Sequence, residues 1–198
     1  MTESLIVRPL QRADAHGLAA LFERTGSPCY CRWWHFSGDK NAWQDRCANR
    51  PEESRQELTR AVEAGSEEAR GIVALSDTTI VAWMKLSPRT AVDKLYSQRL
   101  YRGLPCFEGA ADGVWTIGCF LVDEAFRGRG VAERILRAGL EEARRAGATS
   151  VEAFPRRADD LAAEEKWTGS YGTLRRAGFA VVNDFGPYPV LRCELSGS

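Results

Sequence analysis

Phe120-Leu121-Val122-Asp123-Glu124-Ala125-Phe126-Arg127-Gly128-Arg129-Gly130-Val131-Ala132 is the stretch on which the reading of this chain turns. Val114 to Val122 runs without a charge and reads as a buried strand. Gly130 to Ala146 reads as a helix. Its Ala132, Ile135, Leu136, Gly139, Leu140 and Ala143 recur at i, i+3, i+4, i+7, i+8 and i+11, and Glu133, Arg134, Arg137, Glu141, Arg144 and Arg145 take the opposite face. A strand therefore enters an amphipathic helix through a turn holding two glycines. The first N–H groups of a helix lack intrahelical partners and carry the positive end of the dipole. Glycines at 128 and 130 remove the Cβ atoms that would keep a phosphate oxygen away. The segment predicts an anion site suited to a pyrophosphate.

Three other readings of the loop compete with this one. A nucleotide-triphosphate loop needs Gly-x4-Gly-Lys-Ser/Thr, and neither lysine nor hydroxyl follows Gly130. A dinucleotide-binding loop would accept Gly128 and Gly130, with Glu152 near the ribose-binding position, but it places Glu133 where close helix–strand packing needs glycine or alanine. A glycine turn that merely connects two elements is the plain alternative.

Outward from this segment, Leu5 to Leu10 reads as a strand stopped by Pro9, and Asp14 to Arg24 as a helix ended by Gly26. Residues 27–66 hold an aromatic, cysteine-rich stretch and two polar helices, the second opened by Pro51 and closed by Gly65. Gly71–Leu75 and Thr79–Leu86 form a hairpin signal around Ser76-Asp77-Thr78. A short helix is expected near Val92–Arg99, a strand over Ser150–Phe154, a short helix around Ser170–Ala177, and strands over Phe179–Asp184 and Pro189–Leu195. The order predicts one α/β domain over residues 1–198.

With the 198-residue chain carrying no net charge, general affinity for nucleic acid or an acidic membrane is not expected. No apolar run approaches the ~18 residues of a membrane span. The start, Met1 to Arg8, lacks the basic-then-apolar order of a secretory signal, so a cytoplasmic location is expected.

Arg127-Gly128-Arg129-Gly130-Val131-Ala132 resembles the Arg/Gln-x-x-Gly-x-Gly/Ala loop of the GCN5-related N-acetyltransferase (GNAT) superfamily. Phe120-x-Val122 before it, the helix after it, the terminal Gly178-Phe179, and Val81 to Pro88 as a third strand follow that family's order. The resemblance spans about residues 5–195 and implies a mixed, mostly antiparallel twisted sheet of about seven strands with helices on both faces. It implies acetyl-CoA as cosubstrate, with residues 114–154 as the binding core. The backbone of Phe120, Leu121 and Val122 would pair with the pantetheine arm. The loop of Arg127, Gly128, Arg129, Gly130, Val131 and Ala132 would hold the pyrophosphate through amides from Gly128 onward. The activity implied is transfer of an acetyl group to a primary amine of a small molecule or peptide, by direct attack in a ternary complex. A non-catalytic acyl-CoA sensor is the alternative. The family often forms dimers, which leaves a homodimer open.

The family pattern breaks in two places. The tyrosine often found five residues before the phenylalanine of the Gly-Phe pair is Leu174 here, and Tyr171, one helical turn earlier, is the candidate proton donor to the leaving thiol. The strand position where some members carry a basic glutamate is Thr116, and no base is assigned among Glu108, Asp112 and Asp123. Cys29-x-Cys31-x3-His35, with Cys47 beyond, raises a metal reading, but the spacing is poor and no metal is expected. Tyr30, Trp33 and Trp34 are instead candidates for the acceptor-pocket wall, because residues 27–66 would flank the acceptor side of the cleft; an aromatic core cluster is the competing reading.

Overall fold

The computed structural model describes residues 5–109, 111–158 and 166–195. The strands are β1 (Leu5–Pro9), β2 (Gly71–Ser76), β3 (Thr79–Pro88), β4 (Val114–Val122), β5 (Ser150–Ala153), β6 (Ala180–Asn183) and β7 (Val190–Glu194). The helices are α1 (Ala15–Arg24), α2 (Lys40–Asn49), α3 (Pro51–Ala64), α4 (Asp93–Tyr96), α5 (Val131–Arg145) and α6 (Tyr171–Arg176). Among the described residues the strands form one sheet in the order β1-β2-β3-β4-β5-β7-β6. Every neighbouring pair is antiparallel except β4 and β5, which run parallel and are joined through α5. This is the mixed, mostly antiparallel sheet the resemblance implies.

Helices cover both faces, so β2 and most of β3 are buried throughout and show no polar alternation. On one face α5 sets Ile135, Leu136, Leu140 and Ala143 against Ile72, Met84 and Leu86. The buried stripe of α5 starts at Val131 rather than Ala132, because Ala132 in the first turn faces the cleft described below. On the other face α1 and α3 bring Leu18, Leu21, Phe22, Leu58 and Val62 onto Val73, Leu75 and Trp83. A third cluster, Trp34, Val92, Leu95, Tyr101, Phe107, Phe154 and Val190, fills the ground beside the ends of β4 and β5.

Local signals set several boundaries. Pro51 opens α3 with Glu52 and Glu53 behind it, and Gly65 closes it at φ 68°. The expected helix over Val92–Arg99 is only one turn, Asp93–Tyr96. Between β3 and β4 the register slips, since Lys85 faces Cys119 while Leu86 faces Ile117. Gly118 is the extra residue of this bulge. A Cβ there would stand 2.8 Å from the Lys85 stem and 3.4 Å from Trp34, so the bulge accepts only hydrogen at that point.

Candidate active site

The sheet is split where its two halves meet. β4 and β5 pair only at Val114 with Ser150, Trp115 with Val151 and Thr116 with Glu152. Among the described residues no strand lies beside β4 on that side beyond Thr116, and its backbone groups there must find other partners. Two tryptophans supply them. The Trp34 indole N–H donates to the Gly118 carbonyl at 3.1 Å, and the Phe120 N–H donates to the Trp167 carbonyl at 2.6 Å. The two indole rings lie 5.9 Å apart along the free rim of β4.

At the far end of β4 the chain turns into α5. Asp123 accepts from the Ala125 N–H at 3.2 Å and is itself held by Arg24 at 3.2 Å, which fixes the start of the turn. Gly128 and Gly130 adopt φ 72° and 73°, a left-handed conformation costly to residues with a Cβ. No atom of the described residues lies within 4 Å of a Cβ built at either glycine, so backbone conformation, not crowding, requires them. The Arg134 N–H is bonded to the Gly130 carbonyl at 3.1 Å, leaving the amides of Val131, Ala132 and Glu133 without helical partners.

A cleft of about 430 Å³ runs from these amides to the free rim of β4. Phe120, Leu121 and Val122 line it from the strand, and Phe126, Arg127, Gly128, Gly130, Val131 and Ala132 from the turn. Ser170, Thr173, Leu174 and Arg176 close it from α6 and its approach, and Thr25 and Ser27 from the end of α1. Arg127, Lys166 and Arg176 are its cations. Its carboxylate, Glu133, is tied to Arg137 at 2.8 Å, so the walls favour an anion.

The structure thus gathers eight of the nine residues expected for the cosubstrate around one cleft. The ninth, Arg129, sets its guanidinium 5.4 Å from the Phe126 ring centre instead. Tyr171 opens α6 but is not on the cleft wall; Arg157 stands over its ring at 5.6 Å, while Leu174 of the same helix is buried at the wall. Trp34 sits at the split, and Trp33 lies 6.3 Å from it, against Trp43 at 5.5 Å and with the Lys94 ammonium 3.6 Å from its ring centre. Tyr30 goes elsewhere: it is buried and stacked on Phe22 at 5.4 Å in the α1–α3 core. Glu108 and Asp112 are exposed. Lys166, Trp167, Ser170, Thr173 and Arg176 are wall residues that the motif reading missed, because they sit on α6 and its polar approach, far from the glycine loop in sequence.

Cys29, Cys31 and Cys119 belong with the α1–α3 core. The Cys31 thiol is drawn below its ordinary range by the Cys119 S–H and the buried Lys85 ammonium, while Cys119 is pushed up by the same contact and by burial. Lys85 is further anchored on the Glu68 carbonyl. Among the described residues no group of three or more His, Cys, Asp or Glu side chains is placed to hold a metal ion. None of the described helices is long and apolar enough to cross a membrane.

Solved structures share this architecture. The PaiA N-acetyltransferase of Thermoplasma acidophilum, in complex with coenzyme A, superposes with a TM-score of 0.56 at 10% identity, covering 96% of this chain and 99% of that one. A GNAT family acetyltransferase of Brucella melitensis, in complex with acetyl-CoA, gives 0.54 at 18% identity, over 98% and 90% of the two chains. An N-acetyltransferase from Staphylococcus aureus Mu50 gives 0.56 at 11%, over 98% and 99%. No curated protein matches the chain significantly in sequence. These likenesses establish the fold. The family follows from the sequence itself, because the model of the acetyltransferase (GNAT) family matches residues 32–165, and the chain belongs to that family.

Proposed function

We propose that the protein is an N-acetyltransferase that carries an acetyl group from acetyl-CoA to a primary amine of a small molecule or peptide, by direct attack within a ternary complex. The observation that carries this reading is the continuity of the cleft: amides without helical partners at the start of α5 lead directly to the rim of β4 that β5 leaves. Amides from Gly128 to Ala132 hold the pyrophosphate, with Arg127, Lys166 and Arg176 as counter-charges. The Phe120 N–H exchanges the Trp167 carbonyl for a pantetheine amide, one hydrogen bond for another of similar strength. Residues 114–154 serve as the cosubstrate core and 27–66 as the acceptor side, with Trp33 and Trp34 beside the split and Tyr30 supporting that segment from the core.

Tyr171 is the proposed proton donor to the departing sulfur, reaching it by a turn of its side chain away from Arg157. The demand on it is modest, since a thiol of pKa about 8.5 leaves tolerably as thiolate at neutral pH, whereas an amine of pKa about 10 must first lose a proton.

The test is thiol release from acetyl-CoA in the presence of spermidine, lysine methyl ester, a short peptide or kanamycin. Release stimulated by at least one amine, with a product heavier by one acetyl group, is expected. Tight acetyl-CoA binding with no stimulated release by any of them would mark a sensor instead.

A further inference from the structure

Acetyl transfer needs a group to take the proton from the acceptor, and the vertex of the split holds a buried carboxylate. Glu152 is the last β5 residue paired with β4, faces Thr116 across the strands, and has no exposure to solvent. Its two oxygens are served differently. Oε1 accepts from Arg192 of β7 at 3.1 and 2.6 Å, while Oε2 accepts from the Tyr96 hydroxyl at 2.6 Å. Acceptance on both oxygens is the pattern of an ionised carboxylate. The Tyr96 oxygen also lies 2.5 Å from Thr116 Oγ1, and with the phenol proton committed to Glu152, Thr116 is the donor there. A chain of two hydroxyls thus leads into a buried carboxylate at the point where the strands part.

A buried ion pair of this kind contributes little to stability over an apolar substitute, and Arg192 with the β5–β7 ladder would secure Glu152 without a phenol. Tyr96 is itself half-buried, with its ring edge-on to Phe107 and Phe154. Phe154 belongs to the same cluster as Trp34, whose indole is bonded to Gly118 only two residues beyond Thr116. Along a strand, two residues span about 7 Å, so the hydroxyls adjoin the free rim of β4.

We infer that Glu152, acting through the Tyr96 hydroxyl, receives the proton that the acceptor ammonium must lose before attack. The inference rests on the acetyl-transfer reading. In the step, the phenol takes the ammonium proton as it passes its own to Glu152 Oε2, so a neutral amine and a glutamic acid result and the phenol is unchanged. The amine nitrogen then bonds the thioester carbon, the C–S bond breaks with its electron pair on sulfur, which takes the Tyr171 proton, and the second amine proton passes to solvent, from which the Tyr171 phenolate is reprotonated. Glu152 returns its proton to water through the same hydroxyl. The charged or titratable groups facing this chain are Arg192 from β7, Arg89, 4.4 Å from the Tyr96 ring centre, and Cys106, whose carbonyl accepts from Arg192. Burial and the Glu152 charge push the Tyr96 phenol well above its ordinary value, which keeps it protonated and able to relay.

Glu152→Gln and Tyr96→Phe are tested in the full chain with whichever of the four acceptors named above the wild type uses best. Rates are followed from about pH 6 to about pH 10, where the amine sheds its own proton. Expected are losses of about a hundredfold in kcat near neutrality that close toward high pH, with the acetyl-CoA KM within about twofold of wild type. A loss of the same size at every pH, or none in either variant, would overturn the inference while leaving the acetyl-transfer reading intact. Tyr96→Phe keeps the Glu152–Arg192 pair and so remains informative if Glu152→Gln does not fold. A wild type that binds acetyl-CoA but acetylates none of the amines would overturn the reading and the inference with it.

Discussion

Gly130→Glu is expected to weaken acetyl-CoA binding roughly a thousandfold, about 4 kcal/mol, in a chain that still folds. Two effects add. Gly130 stands at φ 73° as the residue that caps the start of α5, and a side chain there costs about 1–2 kcal/mol in left-handed strain, which the unliganded loop relieves by shifting and which binding must restore. The introduced carboxylate would also share the helix terminus with a pyrophosphate, where two like charges ~4 Å apart repel by about 4 kcal/mol at an effective dielectric of ~20 before screening. Gly130 is exposed and no atom crowds it, so the fold has little to lose. Gly130→Ala separates the effects, because it carries the strain without the charge and is expected to cost about tenfold. Calorimetric titration with acetyl-CoA, alongside circular dichroism of both variants, reads the result. Affinity for Gly130→Glu within about tenfold of wild type would show that the diphosphate is held elsewhere.

Acidification is expected to destabilise the protein through His35, by about 3 kcal/mol between pH 7 and pH 4. The imidazole is 5% exposed, and burial first, then the Lys85 and Arg32 charges, lowers its pKa to about 2. Its Nε2 is buried without a hydrogen-bond partner among the described residues, and Glu68, 3.9 Å from Nδ1, is too far to hold an imidazolium firmly. The sign follows from the two states. In the unfolded chain the group titrates near about 6.5, so below that pH the unfolded state binds a proton that the native state refuses. Stability therefore falls by about 1.4 kcal/mol for each pH unit below about 6.5, until the native value near 2 is reached. Urea unfolding of wild type and His35→Gln at the two pH values tests this. The variant is expected to lose about 3 kcal/mol less than wild type across the interval, and equal losses would contradict the assignment.

The strand, glycine turn and helix from Val114 to Arg145 were legible because each signal is local: an uncharged run, glycines at positive φ, and a 3.6-residue period. The split of the sheet was not legible, since nothing near Ser150 shows that β5 stops pairing with β4 after Glu152. Residues 27–36 resisted reading for a physical reason. Tyr30 and Cys31 take φ 44° and 56° without a glycine, and that reversal sends Tyr30 into the core while Trp34 reaches the split and Trp33 packs beside it. One aromatic run thus serves two places. The proton chain was illegible for another reason. Tyr96 and Glu152 meet across 56 residues and Glu152 and Arg192 across 40, so the contacts depend on strand register and on where α4 docks. Glu152 drew attention in sequence only as a ribose-binding acid, a role its complete burial beneath Tyr96 does not permit.

The crystal structure of the chain with coenzyme A bears most directly on the central claim, that the α5 amides and the free rim of β4 form a single binding surface. The account predicts diphosphate oxygens within hydrogen-bond distance of backbone N–H groups between Gly128 and Ala132, and a pantetheine amide oxygen on the Phe120 N–H in place of Trp167. Coenzyme A bound elsewhere, or a saturated complex in which Trp167 still occupies Phe120 and no phosphate meets those amides, would contradict it.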